Sequence, residues 1–358
     1  MTSENNKSVL SDIGEFKLLN NYIVPLLQTS SKVIGDDCAH IKFPRNATQL
    51  IITTDAGPKP IFHTEKYPFY YIWGWYTVLA NVSDLASAGC YPLALSLAIE
   101  ADPQMLTSEL MDFFKGVKAA AKKFKIDISG GNIKSNTKFV SNATAIGYLK
   151  KGQKTITRRK CKPDDIVISL GDNGKYIVAY LKFLQGGYSS LDKSEQEKIR
   201  GPLPQLEQMQ ALNNGLYITA SSDNSDGILG SLWNIAEKSK CGFELDFDNI
   251  KFPKSLTEFA DKYDIDPVNL FLFWGDWQVI FTLNPKDWKK FQSISKKHGI
   301  QYAVLGKAIK GNPGLYGRRN GNLRTLNLIR NENFTKLSYN SEIKNHIDYM
   351  LKQQIFKN

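Results

Sequence analysis

The sequence predicts an α/β or α+β protein in two halves, and three observations carry that prediction. Short β-like apolar runs alternate with stretches whose apolar residues recur at helical spacing. The chain has 358 residues, enough for two domains, since domains run to roughly 100–200 residues each. Between the halves lies a polar, basic, proline-bearing segment at 152–165 (GQKTITRRKCKPDD), the best candidate for a domain junction. The expected division is 1–150, 151–330 and a C-terminal extension over 331–358.

The elements follow in order. Gln49 to Thr54 (QLIITT) is a compact apolar strand ending in Thr-Asp. Leu106, Leu110, Phe113, Phe114, Val117, Ala121 and Phe124 form an apolar helical stripe with lysines opposite. KIDISGGN reads as a strand running into a glycine turn, and Val140 to Leu149 alternates as another strand. After the junction comes a strand, IVISLG, then a helix through Tyr180 and Phe183 that stops at Gly186-Gly187. Ile228, Leu232, Ile235 and Ala236 mark a helix with its start signalled by Ser225-Asp226 and its stop by Gly242. A strand, QVIFTL, lies at 278–283, and from Ser341 the tail again reads as helical, with Ile343, Ile347, Met350, Leu351 and Ile355 on one face.

Composition excludes several function classes. With 42% hydrophobic and 23% charged residues, the chain is neither disordered nor collagen-like. No apolar run approaches the ~20 residues that span a bilayer, and MTSENNKSVLSDIGE lacks the basic start and apolar block of a secretory signal. A cytoplasmic protein with no membrane partner is expected. Cys38, Cys90, Cys161 and Cys241 lie far apart with no CxxC pair, so reduced thiols are expected. His40, His63, His298 and His346 show no zinc spacing. The net charge of +11 comes from lysines such as Lys115, Lys118, Lys122 and Lys123, and Lys289, Lys290, Lys296 and Lys297, on amphipathic helical patterns. A phosphate-bearing small ligand or plain solubility explains that charge as well as nucleic acid does, and no nucleic-acid partner is expected.

The chemistry is carried by a recurring local arrangement. Five apolar segments run into carboxylates or small polar groups: Asp36-Asp37, Thr54-Asp55, Ser83-Asp84, Gly130-Gly131-Asn132, and Ser221 to Gly227 (SSDNSDG). Gathered carboxylates are costly unless something positive sits between them, and a hard divalent cation with oxygen ligands offsets that cost. Singly, each arrangement reads more readily as structural. Ser83-Asp84 and Ser225-Asp226 would cap helices, and Asp55 with Gly57-Pro58, or Gly130 to Asn132, would make turns. Together they bring a metal–phosphate site level with that reading. Gly171 to Lys175 (GDNGK) lacks the GxxxxGK[ST] spacing, and neither GxGxxG nor GxSxG occurs.

At these same residues the sequence resembles thiamine-monophosphate kinases, of the superfamily that includes aminoimidazole-ribonucleotide synthetase. VIGDDCA (33–39), LIITTD (50–55), GWYTVLANVSDLASAGCYP (74–92), the segment ending KIDISGGN (113–132), ATAIGY (143–148), SSDNSDGILGSLWNIAEKSKCG (221–242) and WGDWQVIFT (274–282) occur in family order. The resemblance implies a two-domain fold of mixed sheets flanked by helices, N-terminal domains pairing in a homodimer, and ATP-dependent phosphorylation of thiamine monophosphate to the diphosphate. It implies several Mg²⁺ ions held by Asp37, Asp55, Asp84 and Asp223, with Thr53, Thr54, Asn132 and Asp226 as further metal contacts. It places Phe114, Gly131, Asn132, Arg158 and Ser225 at ATP, and it matches His63, Gly275 and Trp277 to the acceptor side. No side chain is expected to act as acid or base, because a phosphate monoester oxygen is already anionic near neutral pH.

Departures from the pattern cluster on the acceptor side. The family's Gly-Gly-Glu-Asp-Tyr, with its glutamate facing the thiamine, reads Phe273-Trp274-Gly275-Asp276-Trp277 here. His63 aligns only with a one-residue insertion, Asn224 replaces a hydrophobic residue, and Asp164-Asp165 replaces a Gly-Asp pair. Two alternatives follow: a related ATP-dependent synthetase acting on another small acceptor, or a non-catalytic nucleotide-binding paralogue.

Overall fold

A computed structural model describes residues 8–27, 38–332 and 343–357. The chain divides into two compact units, one of residues 1–85 with 90–151 and one of residues 86–89 with 152–358. Both are mixed α/β units built on a sheet.

The first unit carries a four-stranded sheet in the order β1-β4-β2-β3, with β1 Ala47–Ala56, β2 Tyr91–Ala101, β3 Asp127–Ser135 and β4 Val140–Lys150. β4 pairs antiparallel with both β1 and β2, and β2 pairs parallel with β3. Buried and half-buried residues alternate strictly along β4, the period-two signature of a sheet with one covered face. Two helices, Tyr70–Ser87 and Thr107–Phe124, hold the core of this unit. They meet backbone to backbone. A Cβ on Gly74 would lie 1.9 Å from the Phe113 carbonyl oxygen, and one on Gly116 would lie 1.9 Å from that of Tyr71. Only glycine permits that approach.

The helix Tyr70–Ser87 corrects the expected cap at Ser83-Asp84, which lie inside it. It is buried nearly all round, so it shows no polar stripe along the sequence. Gly130 to Asn132 do not form a turn either. They lie within β3, beside a register irregularity opposite Leu95 and Ser96. Asp55 likewise sits in β1, opposite Ala143, and not in a turn.

The second unit carries a seven-stranded sheet in the order β11-β10-β7-β9-β5-β8-β6. Its strands are β5 Ile166–Leu170, β6 Ile218–Asp223, β7 Gly242–Asp246, β8 Val279–Leu283, β9 Tyr302–Ile309, β10 Gly314–Arg319 and β11 Asn322–Thr325. β7 and β10 are parallel, and the remaining pairs are antiparallel. β5 and β8 are apolar throughout except for Ser169 and Thr282, as strands covered on both faces must be. The helix Lys175–Gly186 stops at Gly187, where the glycine pair forecast a stop. The helix Ile228–Ser239 begins after Gly227 with no side-chain cap, so Ser225-Asp226 is not its cap. That correction releases both side chains for another role.

The C-terminal helix Ile343–Lys352 and the residues after it pack on the second unit. Phe356 bridges to Leu326 and sits edge-on to Phe247 at 6.1 Å, and the Asn269 amide donates to the carbonyls of Leu351 and Gln353. All four cysteines are free thiols, and among the described residues no helix is long and apolar enough to cross a membrane.

Candidate functional site

In the first unit, the alternation of β1 sorts the predicted residues. Thr53 and Asp55 share its half-buried face, whereas Thr54 points to the exposed face and pairs hydroxyl to hydroxyl with Thr144 at 2.9 Å. The helix Tyr70–Ser87 brings Asp84 onto the Thr53 and Asp55 side. The Trp73 indole donates to the Gly57 carbonyl at 3.0 Å and the Thr77 hydroxyl meets that of Ser141 at 2.9 Å, tying the helix to the sheet. Thr53 Oγ1 donates to Asp84 Oδ2, and the Asp55 and Asp84 carboxyls share a hydrogen bond. Burial, and then the charge of Asp84, push Asp55 up to about 6. Two carboxylates drawn together without a cation behave in this way.

The remaining first-unit residues stand apart from this pair. Gly131 and Asn132 lie on β3, the sheet edge opposite β1. Three strand spacings separate those edges, roughly 14 Å. A Cβ at Gly131 would sit 2.5 Å from the Leu97 carbonyl oxygen, so close strand approach accounts for that glycine. Phe114 is only 3% exposed and packs edge-on against Phe113 at 5.4 Å. His63 is half-buried, edge-on to Tyr70 at 4.8 Å and Trp73 at 5.3 Å. Burial, and then Lys59, pull its imidazole down to about 4, so it is neutral at pH 7. Asp37 lies outside the described residues. Among the described residues, no group of three or more His, Cys, Asp or Glu side chains could hold a metal ion.

In the second unit, Asp223 ends β6 and Arg158 meets it, Nη2 to Oδ1, at 3.7 Å. Asp226 follows in the loop; burial raises its pKa while Arg158 and Arg330 oppose that rise. Arg330 was missed by sequence reasoning. It follows β11, and a Cβ on Gly230 would lie 2.8 Å from the Asp226 Cβ and 2.9 Å from the Arg330 Cβ. The Asn331 backbone N–H donates to the Asp226 backbone carbonyl at 3.0 Å, which fixes the approach. No motif or spacing signals a contact between residues a hundred positions apart. Ser225 is exposed.

Asn224, buried beside Asp223, explains its own departure from the hydrophobic pattern. Its amide donates to the Phe273 carbonyl at 3.2 Å and to Gln278 Oε1 at 2.8 Å, and its backbone N–H donates to the Gln278 carbonyl at 3.1 Å. The aromatic segment 273–278 is thereby pinned to the strand end that carries Asp223. Within it, Gly275 has φ +104, and a Cβ there would lie 2.1 Å from Tyr176 Cδ1. Asp276 is fully buried and accepts from the Tyr176 N–H at 3.1 Å, at the start of the helix Lys175–Gly186; Lys198 approaches it at 3.6 Å. Asp164 has φ +69, the left-handed conformation that suits the glycine it replaces.

Comparison with known proteins places the chain in a family. Residues 35–149 match the family model for AIR synthase related protein, N-terminal domain, and residues 162–316 match that for the C-terminal domain. The chain is 27% identical over 311 residues to a thiamine-monophosphate kinase of Haemophilus influenzae, covering 82% of this chain and 89% of that one. Its fold is similar to that of AaThiL complexed with AMPPCP and TMP, with TM-score 0.66 and 24% identity over 88% of this chain and 96% of the other. It is also similar in fold to a hydrogenase maturation protein HypE in complex with ATP, with TM-score 0.72 and 17% identity over 90% and 98% of the two chains.

Proposed function

The chain belongs to the AIR synthase related protein family, and we propose that it is a kinase that moves the γ-phosphoryl group of ATP onto thiamine monophosphate, giving thiamine diphosphate and ADP. The observation that carries this reading is the Asp55–Asp84 pair, two carboxyls and a threonine hydroxyl gathered at a cost that a bound cation would offset. Relatives named for that reaction, alignable over four-fifths of the chain, support the choice of substrate.

Hard oxygen donors of this kind suit Mg²⁺: in the first unit Asp55, Asp84 and Thr53 are the groups that would hold an ion, in the second Asp223 and Asp226, while Asp37, Thr54 and Asn132 are proposed contacts on the family resemblance alone. When bound, magnesium supplies neutralisation of phosphate oxygens on two anions that must approach in line. The chain's own residues do the rest. Thr53 orients Asp84 by hydrogen bonding, and Arg158, braced by Asp223, presents a planar cationic fork to phosphate oxygens. Gly131, Asn132, Phe114 and Ser225 are the proposed nucleotide contacts. His63, Gly275 and Trp277 are the proposed acceptor contacts. The acceptor phosphate is already a nucleophilic anion, so transfer is direct, with no general base and no phosphoenzyme.

The working form is a cytoplasmic homodimer that takes small substrates. β1 and β4 support the dimer: Leu50 and Ile52, 48% and 70% exposed, pair in register with Tyr148 and Ile146 on the open face of the sheet. Incubation with ATP, Mg²⁺ and thiamine monophosphate, followed by chromatography, tests the reaction. ADP and thiamine diphosphate in equal amounts are expected. ADP with free phosphate and unchanged thiamine monophosphate would refute the assignment.

A further inference from the structure

Cys161 and Cys241 lie far apart in the sequence, yet the second unit sets them side by side. Both are buried free thiols, and the Cys161 thiol hydrogen-bonds to the Cys241 sulfur. The backbone fixes each of them. Cys161 donates its N–H to Ser239 Oγ at 3.2 Å, and the next N–H, that of Lys162, goes to Asp165 Oδ2 at 2.8 Å. Cys241 donates its N–H to the Ala236 carbonyl at 3.2 Å, just past Lys240, the left-handed residue at φ +56 that ends the helix Ile228–Ser239. Two sulfurs that already face each other on anchored backbone meet the first geometric demand of a disulfide.

Access to the pair runs through an irregular strap and not through a sheet. Arg158, Arg159 and Lys160 before Cys161, and Lys162, Pro163 and Asp164 after it, are all exposed. Opening such a strap costs far less than unfolding the unit and admits a small oxidant. The two thiols are unequal. The hydrogen bond from Cys161 lowers the Cys241 thiol, while that same bond and burial raise the Cys161 thiol, so Cys241 is the nucleophile of the two. The buried Asp165 carboxylate, which also accepts from the Thr219 hydroxyl at 2.7 Å, opposes a thiolate at either position and keeps the reaction slower than that of a catalytic cysteine. The strap also carries Arg158. The Ser239 hydroxyl that takes the Cys161 N–H donates in turn to the Arg158 carbonyl at 2.7 Å.

We propose that Cys161 and Cys241 form a site of oxidative modification, a dithiol at rest that a peroxide converts into a disulfide stapling the Arg158 strap to the turn between the helix Ile228–Ser239 and β7. The Cys241 thiolate attacks one peroxide oxygen and the O–O bond breaks, leaving a sulfenic acid on Cys241 and a hydroxide that takes up a proton as water. The Cys161 sulfur then attacks the Cys241 sulfur. The S–S bond forms, the S–O bond breaks, and the departing hydroxide leaves with the Cys161 proton as a second water. Two thiols and one peroxide thus give one disulfide and two waters, the sulfurs losing the two electrons that the peroxide gains. A reversible bond of this kind is compatible with a reducing compartment, where disulfides are transient and report on oxidant.

The test uses the full chain with Cys38→Ser, which removes the one exposed thiol, prevents coupling between chains and leaves three cysteines. The folded protein is treated with hydrogen peroxide, then unfolded and titrated with a thiol reagent. Reactive thiols are expected to fall from three to one, that of Cys90, and to return to three after a dithiol reductant. Digestion without reductant should yield one linked pair of peptides, carrying Cys161 and Cys241, with a mass two hydrogens below their sum. Oxidised after unfolding in urea, the chain should instead join Cys90 to either partner about as often, because loop length alone then selects the pair. Three thiols still reactive after treatment of the folded protein would overturn the proposal. So would sulfinic acid at either cysteine with no linked peptides, or the same mixture of pairs from folded and unfolded chains.

Discussion

Burial and the Asp84 charge keep a proton on Asp55 up to pH about 6, above the range of an unfolded aspartate. The folded metal-free protein therefore binds that proton more tightly than the unfolded chain does. Stability contributed by this group falls as pH rises from about 4 to about 6 and stays reduced above that. Asp55→Asn removes the penalty. It is expected to raise the metal-free melting stability at pH 7.5 by about 1 kcal/mol, after allowance for solvent screening, while lowering kcat by at least about 100-fold. Magnesium should stabilise the wild type and not the variant; calorimetric melts with and without the ion check both. His63 has the opposite slope. Its folded pKa, lowered to about 4 from about 6.5, means that acid favours the unfolded chain, so its contribution is lost as pH falls through that window. His63→Phe should flatten the acid limb of stability against pH. Because the two windows overlap, each effect is read as the difference between wild type and variant in urea titrations.

At the scale of elements, the crossing of Tyr70–Ser87 over Thr107–Phe124 sets where Asp84 stands. Gly116→Ala would place a methyl 1.9 Å from the Tyr71 carbonyl oxygen and force the helices apart. A loss of about 2 kcal/mol or more in unfolding free energy is expected, with kcat falling because Asp84 moves, as denaturation followed by circular dichroism and a steady-state assay would show. Elements with one wet face were legible in the sequence: β4 by alternation, Thr107–Phe124 by its stripe, Lys175–Gly186 by its glycine stop. Tyr70–Ser87 was not, because a helix buried on every side has no polar period to reveal it. The Gly130 to Asn132 stretch misled for a different reason. Gly131 marks close strand approach at Leu97, whereas a Cβ on Gly130 would meet open space, and glycine signals such an approach as readily as it signals a turn.

At the scale of the whole molecule, the acidic motifs were legible because each is local in sequence, and Thr53, Asp55 and Asp84 do meet. Arg330 and the seat of Tyr176 over Gly275 were not, because both arise from contacts that only the folded chain makes. The open sheet face of the first unit leads to a prediction of assembly. Ile52→Glu puts a charge into an apolar row with Ile146 and, if the proposed dimer forms through this face, is expected to give a monomer in light scattering where the wild type gives a dimer, leaving its circular dichroism unchanged. The most direct test of the account follows the phosphoryl group itself, using ATP labelled at the γ position. With Mg²⁺ and thiamine monophosphate, label should appear in the terminal phosphate of thiamine diphosphate for the wild type, and none should appear with chelator or in Asp55→Asn. Label recovered only as inorganic phosphate, or undiminished transfer by Asp55→Asn, would contradict it.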